Sequence, residues 1–357
     1  LVTLFLVPVA VALIFMFLSP LLIAVSAGVF IVVYILYVIF SFDIGVVRNI
    51  IYPVLAVILV AIANIIYKYL TESAAKKFLR RAFSYYLSET VLNHLLENPH
   101  KIKLGGERKE MTVLFSDIAG FTSISESMEA GKLAELLNDY LTKMTEVVFR
   151  NDGVLDKYIG DAVMAFWGAP VASKNHALAA CKTALEMQKV IAQNFSFTAR
   201  VGINSGEMVV GNMGSTQRFD YSLLGDNVNL GSRLEGINKI YGTKICISES
   251  TYKMVKNKVT ARKLDTVAVK GKAKGVAIYE LRHFGKLTKS ERKFLDEFEA
   301  ARSLYEKGNF KKSLEKFKHL SKNYPDDVPT KMYLERIPEL IKTPPESWDG
   351  VYHATSK

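Results

Sequence analysis

The first 42 residues contain no charged side chain. A run of this length can form two helical membrane spans of about 20 residues each, and Ser19-Pro20 supplies a natural break between them. The competing interpretation, a buried helical core, requires charge-free helices packed on every face. The whole chain is 50% hydrophobic over 357 residues, a high share for a protein without membrane segments. We therefore expect this chain to enter a lipid bilayer.

A third apolar run extends from about Ile50 to Tyr67. The short connection before it carries Asp43 and Arg48, whereas a basic cluster follows it: Lys68, Lys76, Lys77, Arg80 and Arg81. The positive-inside rule places that basic side in the cytoplasm. The pattern predicts three transmembrane helices in residues 1–68, a multi-pass protein of the inner (plasma) membrane and an outside N-terminus.

The chain begins with Leu1, and its first apolar run starts at once. We interpret it as the membrane-proximal part of a longer protein with an extracytoplasmic sensor upstream. A signal peptide is the alternative, but three closely spaced apolar runs without a small-residue cleavage pattern argue against it.

Residues 69–104 are predicted to be a helix leaving the membrane, followed by a linker. Apolar residues recur at helical spacing up to Leu95, and Asn98-Pro99 ends the pattern. A second short helix starting near Ser88 is a variant of this prediction. Two interpretations of the apolar stripe remain open, docking onto the next domain or a two-stranded coil.

Two aspartates stand at the ends of predicted strands. The apolar run Val113-Leu114-Phe115 ends at Ser116-Asp117, and a helical pattern follows Gly120. Further on, the β-rich runs 154–159 and 162–167 flank Gly160-Asp161, a two-residue hairpin turn by spacing and residue type. Asp117 is thus predicted at a strand end and Asp161 at a hairpin tip.

Paired carboxylates on rigid strand ends, beside a loop of small residues that opens a helix, suit a divalent metal bound to a polyphosphate. Mg²⁺ favours one or two carboxylates plus phosphate oxygens, and N–H groups at a helix start attract anions. The alternative is that Asp117 is a helix N-cap and Asp161 an ordinary turn residue. The pair together favours a nucleotide site.

Five ordered motifs resemble the class III nucleotidyl cyclases, over roughly residues 105–282. They are FSDIAGFT (115–122), DKYIGDAVMAFWGAP (156–170), ARVGINSGEMVVGNMGS (199–215), YSLLGDNVNLGSRLEG (221–236) and VKGKAKG (269–275). The resemblance implies a palm-like α+β catalytic domain at 105–285, in which hairpins prevent a purely parallel sheet. The pattern predicts strands at 110–116, 154–159, 162–167, 197–203, 206–212, 243–248, 262–269 and 276–282, and helices at 125–149, 175–194 and 227–240.

The resemblance implies a reaction and its metal site. An adenylate cyclase would bind two divalent metal ions, Mg²⁺ or Mn²⁺, through Asp117, Asp161 and the Ile118 carbonyl. Backbone N–H groups of residues 119–122, which include Gly120, Phe121 and Thr122, would bind phosphate. The positions of Arg200 and Lys272 match phosphate-binding positions of the family, with a solvated surface charge as the alternative for each.

Asn229 and Arg233 stand four residues apart, hence on one face of a predicted helix. By resemblance, Asn229 orients the ribose and Arg233 stabilises charge on the α-phosphate. The base-reading positions are Lys157 and Ser222. Lys157 favours ATP because a cation donates to adenine N1, whereas a Ser222 hydroxyl both accepts and donates.

The resemblance also implies a homodimer with two composite active sites, because one chain carries every role. In related cyclases the segment at 69–104 transmits signals and helps dimerisation. The leading function is a membrane-bound adenylate cyclase with a cytoplasmic catalytic domain. The alternatives are a guanylate cyclase, which Lys157 opposes, and a catalytically inactive receptor or scaffold.

Residues 290–342 form a predicted all-α extension. Its segment 298–325 matches the spacing of one tetratricopeptide-like hairpin, which must bury its apolar faces against the catalytic domain, a protein partner or a helix at 327–342. The tail at 343–357 offers Trp348 and Tyr352 as anchors. Cys181 and Cys246 show neither metal nor redox spacing. The net charge of +11 is dispersed, which argues against nucleic acid and favours lipid headgroups and nucleotide phosphate.

Overall fold

The computed structural model describes residues 11–83, 93, 105–215, 217–268, 275–285, 287–345 and 347–352, with only the backbone for 72–83. The chain divides into two compact units, Leu1–Tyr86 and Leu87–Lys357. Lys272 and most of the predicted linker lie outside the described residues.

The N-terminal unit contains two long helices, α1 (Pro20–Asp43) and α2 (Ile51–Phe83). Ser19 caps α1 by accepting a hydrogen bond from the Leu22 N–H, so the predicted break is where this helix begins. Among the described residues, two helical segments rather than three are long and apolar enough to cross a membrane, Pro20–Asp43 and Ile51–Thr71. The first predicted span is helical at 11–17, and its residues 1–10 lie outside the described part.

The two long helices contact each other through a small apolar cluster that includes Ile23, Ala27, Val57 and Ala61. Most of their other large apolar side chains are exposed; Phe17, just before α1, is 89% exposed. Water disfavours apolar surface of this extent. The third apolar run and the helix predicted after it form one continuous helix, α2, up to Phe83.

The second unit is built on an eight-stranded sheet. Its strands are β1 (Gly105–Ile118), β2 (Val154–Ile159), β3 (Ala162–Trp167), β4 (Ala199–Gly214), β5 (Phe219–Leu224), β6 (Ile245–Ser248), β7 (Val259–Val267) and β8 (Val276–Phe284). The order is β2-β3-β1-β4-β6-β8-β7, and β5 also pairs with β4. The β4–β6 pair is parallel and the other pairs are antiparallel, which confirms the predicted mixed sheet.

Helices cover both faces of this sheet. They are α3 (Phe121–Ser127), α4 (Ala130–Arg150), α5 (His176–Asn194), α6 (Asp226–Tyr241) and α7 (Glu249–Val255). On one face, α4 and α5 pack over a core that contains Tyr140 and both Leu114 and Val201. On the other face, β5 and α6 cover a second core that contains Val113 and Phe115.

Two glycines bring α6 close to the sheet. A Cβ on Gly202 of β4 would collide with the backbone of Glu235, and one on Gly231 would lie 2.7 Å from the Val113 side chain. Small residues at both contact points therefore let the helix backbone lie directly on β1 and β4. This packing fixes the position of every side chain that α6 presents.

Several element boundaries differ from the prediction. The two strands predicted at 197–203 and 206–212 are one strand, β4, because β1 pairs with it continuously from Asp117↔Arg200 to Gly105↔Asn212. Pairing with a long partner strand thus keeps residues 204 and 205 in the sheet, although the prediction ended one strand before them. The predicted helix at 125–149 is two helices, α3 and α4, and β5 and α7 were not predicted.

Three further helices, α8 (Lys289–Glu306), α9 (Phe310–Asn323) and α10 (Val328–Lys342), pack together beyond the β7 edge of the sheet, where α8 contacts β7 and α10 contacts α6. The hydroxyl of Tyr333 donates to the Leu264 carbonyl at 2.7 Å, and the buried Arg262 pairs with Asp327. The extension buries apolar side chains in a cluster among its own helices, and its Met332 packs against the core cluster that contains Leu264 of the sheet. Its assignment as a tetratricopeptide-like repeat stays a prediction.

The two aromatic residues of the tail both make contacts in this unit. The indole of Trp348 donates to the carbonyls of Tyr305 and Glu306. Tyr352 forms a bridge with Val267, and the Arg336 guanidinium lies 3.4 Å from its ring centre. Cys181 and Cys246 are buried and free.

Candidate active site

The β1 end and the β2–β3 turn bring the two predicted metal ligands together. Asp117 precedes the last residue of β1, and the next N–H, that of Ile118, donates to Oδ2 of Asp161 at 3.1 Å. Gly160 has a positive φ of 64°, as glycine-first two-residue hairpin loops require. Burial, and then the hydrogen bond and negative charge of Asp117, raise the pKa of Asp161 to about 6. The two carboxyl groups are therefore close enough to repel each other when both are ionised.

Arg200 lies beside this pair because the β1–β4 register places it opposite Asp117. Its Nη2 is 3.0 Å from Oδ2 of Asp117, and its Nε is 3.0 Å from Oε1 of Glu235 on α6. Burial raises the pKa of Glu235 to about 7; the Arg200 charge opposes this rise and the two aspartates add to it. The Arg200 guanidinium thus pairs with two acids, Asp117 and Glu235.

The donor set fits a hard divalent ion. Among the described residues, no group of three or more His, Cys, Asp or Glu side chains is positioned as a metal cage. Asp117 and Asp161 supply two carboxylates, and the Ile118 carbonyl is adjacent in the chain. Mg²⁺ is commonly held by one or two carboxylates together with substrate phosphates and water. Burial is the main cause of the raised pKa of Asp161, and a cation between the carboxylates would relieve the further contribution from the negative charge of Asp117.

The structure differs from the predicted phosphate loop at one position, Ala119. The Ala119 N–H donates to the Thr198 carbonyl at 2.9 Å, so this group is already engaged. Gly120 adopts a left-handed conformation, φ 73°, with open space where a Cβ would project. Its backbone conformation, rather than crowding, is what favours glycine here. The N–H groups of Phe121 and Thr122 in the first turn of α3 have no partner within the helix.

The predicted base-reading residues meet at a third side chain. Oγ of Ser222 on β5 donates to Oδ2 of Asp156 at 2.7 Å, and Nζ of Lys157 lies 3.3 Å from Oδ1 of the same carboxylate. Lys157 is close in sequence to Asp161, but its side chain contacts Asp156, which in turn accepts a hydrogen bond from Ser222 on β5. After their predicted roles, we call Asp117, Asp161 and Arg200 the metal group, and Asp156, Lys157 and Ser222 the base group.

Helix α6 carries the two predicted transition-state residues. Asn229 and Arg233 are exposed, whereas Leu230, Gly231 and Leu234 are buried against the sheet. The predicted i, i+4 arrangement on one helix face is present. Lys272 lies outside the described residues.

Two acids that the motif analysis did not single out complete the site. Asp156 sits in a strand interior, where aspartate is disfavoured, so its residue type was a usable signal. Glu235 follows buried Leu234 in α6 and gave no separate signal, because its contact with Arg200 depends on how the helix lies on β4.

The sequence matches the family model described as "Adenylate and Guanylate cyclase catalytic domain" over residues 106–283. The chain is 36% identical to Adenylate cyclase 1 of Rhizobium meliloti over 208 residues, which cover 56% of this chain and 31% of that protein. It is 38% identical to an adenylate cyclase of Anabaena cylindrica over 185 residues, 49% of this chain and 37% of the relative. The chain thus spans about a third of the length of these relatives.

Among solved structures, the adenylyl cyclase CyaB from P. aeruginosa is 37% identical, with 52% of this chain and 98% of that chain covered and a TM-score of 0.46. The five motifs, the mixed sheet and the matched domain at 106–283 agree with one another. The chain belongs to the adenylate and guanylate cyclase family.

Proposed function

We propose that this chain is a membrane-bound adenylate cyclase that converts ATP to 3′,5′-cyclic AMP and pyrophosphate. The observation that carries the proposal is the approach of Asp117 and Asp161 at a strand end and a hairpin tip. Family membership and relatives named adenylate cyclase support the same reaction.

The reaction joins the ribose 3′-oxygen to the α-phosphorus and breaks the bond from that phosphorus to the pyrophosphate oxygen. When bound, two divalent ions would lower the pKa of the attacking hydroxyl and neutralise the leaving group. Asp117, Asp161 and the Ile118 carbonyl would hold them. Arg200 already lies within 3.0 Å of Asp117, so nucleotide phosphate would compete with that carboxylate for the guanidinium.

The remaining polar groups position the nucleotide. The Gly120, Phe121 and Thr122 N–H groups bind phosphate oxygens, together with Lys272. Asn229 orients the ribose, and Arg233 stabilises charge on the α-phosphate. Loss of one such transition-state donor typically lowers the rate by about 10²–10³-fold.

The active form is a homodimer with two composite sites. Asn229 and Arg233 are exposed on α6, as residues that complete a neighbouring copy's site must be. The metal group of one chain would face the base group and α6 of the other. Mixing Asp117→Asn with Asn229→Ala chains should restore part of the activity through one intact site, and no rescue in the mixture would contradict shared sites.

The catalytic unit lies on the cytoplasmic side of the plasma membrane. Two apolar helices with largely exposed side chains support a multi-pass anchor, and the basic residues beyond Tyr67 support this orientation. The helix α2, which continues to Phe83, would carry a signal from the membrane toward the catalytic unit.

The deciding experiment measures cyclic nucleotide production by membranes that contain the full chain. ATP and GTP are supplied in parallel with Mg²⁺ or Mn²⁺, and Asp161→Asn is the control. Cyclic AMP that disappears in the variant is the expected result. Cyclic GMP as the main product would indicate a guanylate cyclase, and no product from either nucleotide would favour a scaffold.

A further inference from the structure

Asp156 is a fully buried carboxylate between the two side chains expected to read the base. Its side chain is 0% exposed, whereas that of Lys157 is 40% exposed. It accepts a hydrogen bond from Ser222 Oγ at 2.7 Å through Oδ2 and lies 3.3 Å from the Lys157 ammonium through Oδ1. One acid thus contacts both residues.

A buried carboxylate in a strand interior is costly unless its partners compensate for lost water. Neighbouring Val154 and Leu223 belong to the apolar core under β5. Burial raises the pKa of Asp156, while the Ser222 hydroxyl, the Lys157 charge and the Leu223 N–H act in the opposite direction. An apolar residue would fill this position at lower cost, so the acid requires another explanation.

The contact fixes what the Ser222 hydroxyl can offer to a ligand. A serine hydroxyl has one proton and two lone pairs, and here the proton is committed to Asp156. Toward a ligand, the Ser222 oxygen can therefore only accept a hydrogen bond. An ammonium group such as that of Lys157 only donates.

This pattern of one donor and one acceptor matches one purine. Adenine presents an acceptor at N1 and an amino donor at C6, whereas guanine presents an N–H at N1 and a carbonyl acceptor at C6. With guanine, the Lys157 donor would face the N1–H donor, and the Ser222 acceptor would face the C6 carbonyl acceptor. A site whose buried groups form hydrogen bonds with the edge of one base rejects another base strongly, because those groups would lose their hydrogen-bond partners.

We propose that Asp156 is a positioning residue that determines base specificity, because it holds the Ser222 hydroxyl as an acceptor beside the Lys157 donor. The inference rests on the proposed function, since it requires that these two residues meet the base.

The variant Asp156→Asn tests this with little change in volume. The amide oxygen of the substituted side chain accepts a hydrogen bond from Lys157, which can only donate. The amide NH₂ group therefore faces Ser222. The hydroxyl must then accept a hydrogen bond from that amide, and its own proton is freed for a guanine carbonyl. The ratio of kcat/KM for ATP to that for GTP should fall about tenfold or more. Asp220→Asn, an exposed acid on the same strand as Ser222, is the matched control and should leave the ratio unchanged.

The first assay measures kcat/KM for ATP and for GTP in membranes that contain the full chain, with Mn²⁺ present. A second assay measures how well ATP or GTP displaces a bound fluorescent nucleotide analogue. If the unmodified chain makes no cyclic nucleotide, the proposed function fails, and the displacement ratios still test the inference. If it makes cyclic AMP and Asp156→Asn keeps the same ratios, the inference alone is overturned. If Asp156→Asn does not accumulate, Asp156→Leu replaces it, because it keeps the Ser222 hydroxyl and removes its acceptor: a lower ATP preference supports the inference, and an unchanged ratio overturns it.

Discussion

The Ile118 N–H donates to Asp161 across the gap between β1 and the β2–β3 turn. This bond ties the Asp161 carboxylate to the strand that carries Asp117, so the two carboxyl groups lie close together in the folded chain. A metal that binds there meets a site whose carboxylates are already close together.

The first prediction concerns pH. The folded-state pKa of Asp161, about 6, exceeds the usual 3.8, so ionisation of this group opposes folding. Its contribution to stability is fully present below pH 3.8 and is lost as pH rises through about 6. In metal-free protein, the Tm of Asp161→Asn should therefore rise relative to that of the unmodified chain as pH increases from 3.8 to above about 6.

Added Mg²⁺ supplies the control for that measurement. It should raise the Tm of the unmodified chain at about pH 7 more than that of Asp161→Asn, because only the former keeps both carboxylates. A Tm difference that does not change with pH would contradict close approach of Asp117 and Asp161.

The second prediction concerns Glu235, which lies 3.0 Å from Nε of Arg200. Above pH 7, where Glu235 is mostly ionised despite its raised pKa, Glu235→Gln removes the charge that holds one side of the guanidinium, so Arg200 should shift toward Asp117. We expect kcat/KM for ATP to fall about tenfold, the size of a charge-assisted contact. Glu249→Gln, which removes an exposed partner of Lys253, is the matched control. Equal activity of the two variants would mean that Glu235 has no positioning role.

Much of this architecture was accessible from local sequence. The hairpin at 154–167 and the helices near 175–194 and 227–240 were predicted within about two residues, because turn glycines and apolar spacing act locally. The approach of Asp117 to Asp161 followed from placing each at an element end.

The remainder depends on contacts between distant segments. Asp156 and Ser222 are 66 positions apart, and their bond forms only because β5 folds over the core next to β2. Likewise, the contact of Glu235 with Arg200 requires Gly202 and Gly231 to admit α6 to the sheet. No periodicity within a single segment encodes such pairs.

The third prediction concerns the junction between the sheet and the C-terminal helices. Arg262 is 3% exposed, bonds Glu280 and Asp327, and lies over the Phe298 ring. Arg262→Met removes the cation paired with Asp327 and leaves Glu280 with Arg282 as its remaining partner, and the loss of one partner of a buried ion pair costs about 3–5 kcal/mol. Urea unfolding followed by the fluorescence of Trp348 should therefore shift to lower concentration.

Arg108→Met is the control for this third prediction. Its pair with Glu207 is mostly exposed, with side chains 74% and 65% accessible, and such pairs contribute about 0–1 kcal/mol. Similar unfolding midpoints for the two variants would contradict a stabilising role of Arg262 at the junction.

The fourth prediction tests whether the seating of α6 governs catalysis. In Gly202→Ala, the added methyl group collides with the α6 backbone at Gly231 and Glu235, and backbone atoms cannot rotate away. We expect a stability loss of about 1–3 kcal/mol from overpacking. Cyclic AMP production should fall by more than protein abundance does, because Asn229, Arg233 and Glu235 all move with the helix.

The control is Gly131→Ala, in α4 with open space around the added carbon, which should leave both stability and cyclic AMP production unchanged. Full specific activity in Gly202→Ala would show that α6 tolerates displacement without loss of the site.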